Sequence, residues 1–262
     1  MSIFSLERGR APLLISMPHD GRAIPPRIEA RMTDVALRRP DTDWHVARLY
    51  AFARELGASL LIPQYSRYVI DLSRPADGTA LYPGQAETGL CPLRTFSNQP
   101  IYKAGQEPDH DEVAERIPTY WRPYHDTIEA ELARLREQHP RVVLWEAHSI
   151  RSRVPLFFEG RLPDLNLGTA NGASCSEQLQ SKLNTSLTAQ QDYTYVVNGR
   201  FKGGYITRHY GKPDRGIDAV QLELAQSNYM DEDSFEYIES RALPLQRFIR
   251  QLLQVCIANS NS

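Results

Sequence analysis

The sequence predicts an α/β protein, a three-layer sandwich in which helices cover both faces of a mixed, partly parallel central sheet. Short apolar runs rich in Val, Ile and Leu, bounded by Pro, Gly or charged residues, are typical of buried strands. Segments with helical periodicity lie between these runs, and the alternation favours a layered α/β fold. Because no repeat, low-complexity tract or linker-like stretch interrupts the pattern, we expect residues 1–262 to form one domain.

Six segments fit the pattern of buried strands. They are APLLISM (11–17), ASLLIP (58–63), RYVIDL (67–72), RVVLWEA (141–147), YTYVVNG (193–199) and AVQLELA (219–225). In open sheets of this class, ligands gather at the carboxyl ends of the strands. The residues that follow each run are therefore candidate site residues.

Four segments fit the pattern of helices. They are WHVARLYAFARELG (44–57), YHDTIEAELARLREQHP (124–140), SEQLQSKLNTSL (176–187) and ALPLQRFIRQLLQVCI (242–257). Gly57 and Pro140 are natural helix stops. The Pro- and Gly-rich stretch from 75 to 108 is too long for a plain connection, and loops of this length are usually lids or binding loops.

The composition narrows the class of partner. Hydrophobic residues at 41% and charged residues at 24% are ordinary for a soluble protein. The formal net charge of −2 and the absence of a Lys/Arg run argue against nucleic acid, so we expect a small-molecule partner. Three widely spaced cysteines predict neither a disulfide framework nor a thiolate zinc site. Without a secretory signal or a membrane-length apolar run, a cytoplasmic location is expected.

Polar side chains recur where the predicted strands end. His19 follows the first run, Asp71 and Arg74 end the third, His148 follows the fourth, and Glu223 interrupts the last. A single His near a strand end is usually structural, but the recurrence favours one shared site.

His19 and His148 are the candidate metal ligands. Two imidazoles and a carboxylate, with one position left for water, are the ligand set of a catalytic zinc. Asp43 is our choice for the carboxylate, although an Asp at that place could equally be the N-cap of helix 44–57. Asp20 is the alternative, but neighbours on an extended chain face opposite ways. Co²⁺, Mn²⁺ or Fe²⁺ also accept such a ligand set.

Glu223 is the candidate general base, because a carboxylate is costly to bury in an apolar strand without a partner. An ion pair with a nearby Arg is the alternative. Glu146 competes for the role of base, but we expect it to point away from His148 and either to support a ligand residue from behind or to have a structural use. A cysteine or serine nucleophile, Cys175 or Ser149, is a different enzymatic hypothesis.

Cationic residues in the same segments indicate an acidic substrate. They are Arg67, Arg74, Arg151, Arg153, Arg200 and Lys202. Guanidinium groups bind carboxylates in bidentate geometry, so two or three of them favour a substrate with more than one carboxylate. NGRFKGG (198–204) lacks the spacing of a phosphate loop, and a nucleotide role is unsupported. A non-catalytic protein that binds acidic metabolites is the remaining alternative.

Several motifs together resemble the N-formylglutamate amidohydrolase (deformylase) family. They are SMPHDG, TDW, SRYVIDLSRP, LYPGQAETGLCP, YWRPYH, EAHSIRS, LPDLNLGTANGASC, VNGRFKGGYITRHYG and AVQLELAQSNYM, and they span about residues 11–232. The resemblance implies a phosphorylase/hydrolase-like fold similar to zinc carboxypeptidases. It also implies zinc-dependent hydrolysis of N-formyl-L-glutamate to formate and L-glutamate, in histidine degradation. An amidohydrolase acting on another N-acyl acidic amino acid is the closest variant.

The resemblance also implies roles for particular residues. His19, Asp43 and His148 match the metal ligands and Glu223 the general base, and Arg74 keeps the arginine of the family pattern. The candidate substrate contacts remain the cationic residues of the site segments: Arg74, Arg151, Arg153, Arg200 and Lys202. Related peptidases take their acidic ligand from an H-x-x-E motif, but Arg22 stands third after His19. Ser73 stands where the family pattern DLNR has Asn.

Overall fold

The computed structural model describes residues 2–81, 84 and 86–260. Within them, seven strands form one sheet in the order β1-β3-β2-β4-β7-β5-β6. The strands are β1 (Phe4–Glu7), β2 (Leu13–Ser16), β3 (Ser59–Pro63), β4 (Val142–Ile150), β5 (Leu165–Gly168), β6 (Tyr195–Val197) and β7 (Ile217–Ala225). Tyr82, Pro83 and Gln85, part of the predicted loop 75–108 and of the motif LYPGQAETGLCP, lie outside the described residues.

The sheet is mixed, as the sequence predicts. The central strands β3, β2, β4 and β7 are parallel to their neighbours in that series. β1 is antiparallel to β3, and β5 is antiparallel to β7 and parallel to β6. The carboxyl ends of β2, β4 and β7 therefore meet at one edge of the sheet, where ligands are expected.

The described part of the chain contains eight α-helices. They are α1 (Pro26–Glu29), α2 (Asp34–Leu37), α3 (Val46–Leu49), α4 (His110–Arg116), α5 (Arg122–Arg136), α6 (Glu177–Ala189), α7 (Tyr205–Tyr210) and α8 (Glu239–Asn259). Apolar residues of α3, α6 and α8 share one core with one sheet face, and α5 packs on the opposite face. None of the helices described is long and apolar enough to cross a membrane.

The predicted helices are confirmed except for 44–57, which is broken. There α3 gives way to a 3₁₀ turn at Ala51–Arg54, and the segment ends at Gly57 with φ +74°. The predicted strand 67–72 is wrong, because the segment turns. The Val69 N–H donates to the Ser66 carbonyl, and Arg67 reaches Asp71 at 2.6 Å across the turn. An apolar run fits a buried turn as well as a buried strand.

The side chains of β4 and β7 explain how the sheet supports a site. Val143, Trp145, Ala147, Val220, Leu222 and Leu224 all belong to the core shared with α3, α6 and α8. Leu144 and Ala219 face α5, and residues two apart share a face. Further along that face the apolar residues give way to Glu146 and His148 on β4, and to Gln221 and Glu223 on β7.

His125 on α5 makes folding stability depend on pH. It donates from Nε2 to the Leu72 carbonyl at 2.9 Å, and the Tyr210 hydroxyl lies 3.0 Å from Nδ1. Burial lowers the pKa of His125 to about 3, so the folded protein keeps this imidazole neutral. In the unfolded chain His125 has a pKa near 6.5, so its protonation favours unfolding increasingly as the pH falls from 6.5 towards 3. Between pH 8 and pH 5, His125 alone should lower the free energy of unfolding by about 2 kcal/mol.

The variant His125→Gln tests this assignment, because Gln keeps an amide donor but does not titrate. Urea denaturation at pH 8 and pH 5 should show a pH-dependent loss of stability that is about 2 kcal/mol smaller in the variant than in wild type. An equal loss in the two proteins would assign the pH dependence to other groups.

Candidate active site

A cleft opens at the carboxyl ends of β2, β4 and β7. Carboxylates, imidazoles, arginines and aromatic rings line it together: His19, Asp43, Arg67, Ser73, Arg74, Ala86, Glu87, Phe96, His148, Ser149, Ile150, Phe157, Arg200, Phe201, Gly204, Gln221 and Glu223. His19 follows β2, Asp43 precedes α3, and His148 lies within β4, which runs past the predicted end at 147. The fold thus brings distant segments to one point.

His19, Asp43 and His148 form a cluster that could hold a metal ion. One ligand atom from each lies within 4.8 Å of the others, and all three side chains are buried. Asp43 Oδ2 lies 2.9 Å from His148 Nδ1 and 3.7 Å from His19 Nδ1. Both imidazoles therefore turn the same nitrogen, Nδ1, towards the carboxylate.

The outer nitrogens of the two imidazoles are held by carboxylates. His19 Nε2 lies 2.7 Å from Asp71 Oδ1, and His148 Nε2 lies 2.9 Å from Glu146 Oε1. Such a partner favours the tautomer with hydrogen on Nε2, which leaves the Nδ1 lone pair for a metal. The expectation that Glu146 points away from His148 is wrong, because residues two apart on a strand share a face.

Asp43 and Asp20 have different roles. Asp43 Oδ2 accepts a hydrogen bond from the Ser149 backbone N–H at 3.1 Å, and the Asp43 side chain does not cap α3. Asp20 instead accepts from the Ala47 N–H at the start of that helix, at 3.3 Å. The N-cap interpretation of Asp43 is therefore wrong, because the N-cap position of α3 is His45 and the Asp43 side chain faces the two imidazoles.

The carboxylates around the imidazoles are ionised. Burial alone would raise the pKa of Asp43 and of Glu146, but the charges and hydrogen bonds of the neighbouring histidines lower both. The pKa of Asp71 is also lowered against the effect of burial, by Arg67 and His19. This concentration of negative charge beside paired imidazoles suits a divalent cation.

Glu223 has a different environment. It lies in register with His148 and is 7% exposed. Burial raises the pKa of Glu223 to about 8, with a smaller upward contribution from Asp43 against the lowering effect of His148. A buried carboxyl group with a pKa near neutrality, placed in a cleft beside a candidate metal cluster, is suited to proton transfer.

Three arginines line the cleft. Arg67 is paired with Asp71 at 2.6 Å and lies over the Phe96 ring at 4.9 Å. Arg74 donates to the Ser73 and Thr88 carbonyls and to the Thr88 hydroxyl, which are uncharged acceptors. Arg200 donates to the carbonyls of residues 157 and 86. These guanidinium groups give the cleft wall its positive charge.

The other predicted substrate contacts lie elsewhere. Arg151 donates to the Glu232 carbonyl and to Asp233 Oδ1, both at 2.6 Å. Arg153 is exposed and Lys202 is half-buried, and none of these three side chains is among the cleft-lining residues. The structure therefore places Arg74 and Arg200 in the cleft with the candidate metal cluster, whereas the other three do not line it.

Neither proposed nucleophile makes a hydrogen bond to an imidazole in the described structure. Ser149 Oγ bonds to Tyr229 and Gln226. Cys175 belongs to the core beneath the sheet, and burial raises the pKa of its thiol to about 12, which disfavours the reactive thiolate. The arrangement favours water as the nucleophile.

Several contacts of the lining and supporting residues were not predicted from the sequence. The Glu146 carboxylate accepts hydrogen bonds from the Ser73 hydroxyl and from the backbone and hydroxyl of Thr207. Glu146 and Gln221 each lie two residues before a predicted site residue, His148 and Glu223, and this spacing on a strand places their side chains on the same face. The aromatic wall of Phe96, Phe157 and Phe201 had no such signal, because these residues come from loops.

Known proteins share this chain's sequence over nearly its whole length. The sequence profile of the N-formylglutamate amidohydrolase family matches residues 11–230. An N-formylglutamate deformylase of Pseudomonas putida is 51% identical over 257 residues, covering 98% of this chain and 96% of the relative. The N-formylglutamate deformylase of Pseudomonas aeruginosa is 50% identical with the same coverage.

Solved structures share its architecture. The crystal structure of N-formylglutamate amidohydrolase from Ralstonia eutropha JMP134 aligns with a TM-score of 0.84 at 25% identity, covering 99% of this chain and 98% of that one. A gene product of Agrobacterium tumefaciens, at 18% identity and a TM-score of 0.70 over 97% of this chain and 96% of its own, has a similar fold. The chain belongs to the N-formylglutamate amidohydrolase family.

Proposed function

We propose that this protein hydrolyses the formamide bond of N-formyl-L-glutamate to formate and L-glutamate, with a divalent metal held by His19, Asp43 and His148. The observation that carries the proposal is the convergence of these three side chains within 4.8 Å, with Glu223 beside His148 in the sheet. The names of the two Pseudomonas relatives support the substrate.

The donor set fits a zinc-type ion. Two Nδ1 atoms and a carboxylate oxygen face one another, and each imidazole has a carboxylate behind it. When bound, such an ion supplies Lewis acidity, which activates water and polarises a carbonyl group. Zn²⁺ is our first choice, and Co²⁺, Mn²⁺ or Fe²⁺ would fit the same donors.

The chain's own residues carry the remaining steps. Glu223 accepts a proton from the attacking water and delivers it to the leaving amine nitrogen. Arg74 and Arg200 bind the two carboxylates of the substrate and hold the formamide towards the imidazoles. Arg67 lies beside His19, and its positive charge stabilises the negative charge that develops on the formyl oxygen.

The wider expectations belong to the same proposal. We infer a likeness to zinc carboxypeptidases in fold, a single domain over residues 1–262, a place in histidine degradation and a cytoplasmic location. Arg151, Arg153 and Lys202 remain predicted substrate contacts, although the positions of Arg74 and Arg200 in the cleft make these two the stronger candidates.

Metal analysis combined with a formate-release assay tests the proposal. Purified protein should contain about one equivalent of divalent metal and release formate fastest from N-formyl-L-glutamate. The panel includes N-formyl-L-aspartate and other N-acyl acidic amino acids. Faster turnover of another acyl compound would reassign the substrate. Binding of N-formyl-L-glutamate without formate release would indicate a non-catalytic metabolite-binding protein. Activity that resists chelators but is lost with serine- or thiol-modifying reagents would indicate a serine or cysteine nucleophile.

The variants Arg74→Lys and Arg200→Lys test the carboxylate clamp. Lysine keeps the charge but loses the bidentate geometry, so KM for N-formyl-L-glutamate should rise about tenfold with a smaller change in kcat. Arg250→Lys is a matched control, because Arg250 pairs with Glu55 on the far face of the sheet. Unchanged KM in both cleft variants would remove Arg74 and Arg200 from the clamp.

A further inference from the structure

Gln221 lies beside Glu223 in the cleft and is 4% exposed. Both side chains project from the same face of β7, because they are two residues apart. The register pairs Gln221 with Glu146 and Glu223 with His148, so four polar side chains form a compact group beneath the cleft. Gln221 is the one member of this group that does not titrate, and its hydrogen bonds explain its presence.

Gly204 fixes the orientation of the Gln221 amide. The Gly204 backbone N–H donates to Gln221 Oε1 at 2.6 Å, and a backbone N–H can only donate. The amide oxygen therefore faces Gly204, and the amide NH₂ faces Glu223, with Nε2 3.4 Å from Glu223 Oε2. The reversed amide would set two donors against each other at Gly204.

Glycine suits the close approach at position 204. A Cβ there would meet Ser73 Oγ at 2.9 Å, Glu146 Oε1 at 3.3 Å and Gln221 Oε1 at 3.4 Å. A side chain would therefore crowd the Ser73 hydroxyl and the Glu146 carboxylate, and these groups would have to shift. Since Gly204 closes the segment that carries Arg200, its bond to Gln221 ties that segment to the strand of the proposed base.

Glu223 depends on Gln221 for its side-chain hydrogen bonding. In the described part of the chain, Gln221 is the one side chain that donates to the Glu223 carboxyl group. A donor at this place orients the carboxyl oxygens and favours the form that accepts a proton. The bond is long, as those of catalytic groups often are before substrate binds.

We propose that Gln221 is a positioning residue for this hydrolysis. Its NH₂ group holds the Glu223 carboxyl group ready to accept a proton, and its oxygen holds segment 198–204 against β7. The inference rests on the proposed role of Glu223.

Two variants separate the two contacts of Gln221. Gln221→Glu keeps an acceptor for the Gly204 N–H but replaces the donor that faces Glu223, whereas Gln221→Met removes both. We expect kcat at saturating N-formyl-L-glutamate to fall about tenfold or more in both variants, with wild-type metal content. If Gln221 served only to tie Gly204, kcat would stay near wild type in Gln221→Glu, and Gln221→Met would raise KM alone. That result would overturn the inference.

Gln190 provides the matched control. It is half-buried outside the cleft, and its amide bonds to the Leu187 carbonyl and to the backbone of Tyr193. Gln190→Glu and Gln190→Met should keep wild-type kcat, which shows that loss of a structural amide does not by itself slow turnover.

Thermal melting and metal content identify the variants that fold. The kcat of whichever Gln221 variant folds then tests the inference. Gln221→Asn, smaller and still polar, decides if the other two unfold. Glu223→Gln is measured alongside. Wild-type turnover in Glu223→Gln would reject the proposed base and this inference together, whereas an inactive Glu223→Gln with normal Gln221 variants would reject Gln221 alone.

Discussion

The Glu223→Gln variant is expected to bind metal and N-formyl-L-glutamate like wild type but to release formate about 10²–10⁴-fold more slowly. Glu223 is buried beside His148, and burial raises its pKa to about 8. A carboxyl group with a pKa near the working pH can take up and release a proton within one catalytic cycle. Glutamine keeps the size and hydrogen-bonding capacity of the side chain but cannot transfer the proton. Steady-state formate release gives kcat, and calorimetric titration gives the substrate Kd.

Glu131→Gln is the matched control for this experiment. Glu131 is also a buried glutamate, but it bonds to Ser59 and Arg134 outside the cleft. Its replacement should lower the free energy of unfolding without changing kcat. If Glu223→Gln turned over N-formyl-L-glutamate at the wild-type rate, the proton would have to be transferred by another group, and the proposed role of Glu223 would be rejected.

The grouping of His19, His148 and Glu223 could be predicted from the sequence because these residues lie at or near the carboxyl ends of strands. His19 comes shortly after β2, and His148 and Glu223 lie in the carboxyl halves of two adjacent parallel strands. Parallel strands bring such residues to one edge of the sheet whatever the intervening loops do. The sequence also favoured Asp43 over Asp20, but it left open whether Asp43 is a ligand or a helix N-cap, and that choice required the structure.

Features that depend on side-chain direction in loops were not predictable. Arg67 and Asp71 lie on a turn, whereas the apolar composition of RYVIDL predicted a strand. Arg74 and Arg151 both follow predicted strands, yet Arg74 lines the cleft, whereas Arg151 pairs with a loop at residues 232 and 233. Sequence distance from a strand end therefore indicates which arginines are near the cleft, and tertiary packing decides which of them face it.

Of the two carboxylates that contact the outer nitrogens of the imidazoles, Glu146 could have been predicted from the sequence and Asp71 could not. Glu146 and His148 are two apart on one strand, which is sufficient to place both on the same face. The sequence places Asp71 at the end of its segment, but the contact of Asp71 with His19 joins residues 52 positions apart and depends on how the turn at 67–71 packs. Local periodicity thus gives one partner, and only the folded chain gives the other.

His148→Ala is expected to lose metal and activity together. The substitution removes one of three ligands from a buried cluster, so metal content measured by inductively coupled plasma spectrometry should fall below about a tenth of an equivalent. Asp71→Asn leaves the ligands in place but weakens the partner of His19 Nε2 at 2.7 Å. Its metal affinity should fall about 10–100-fold, measured by competition with a chromogenic chelator.

His139→Ala controls for the loss of an imidazole, because His139 contacts the Arg10 carbonyl outside the cleft and should leave metal content unchanged. The expected order of metal binding decides the experiment: His148→Ala binds least, Asp71→Asn binds more weakly than wild type, and His139→Ala binds like wild type. A cluster that merely pairs a carboxylate with two histidines would lose stability in all the cleft variants without any ordering of metal affinity. Metal content equal to wild type in His148→Ala would place the ion elsewhere, and the hydrolytic role of His19, Asp43 and His148 would then be rejected even if formate release continued.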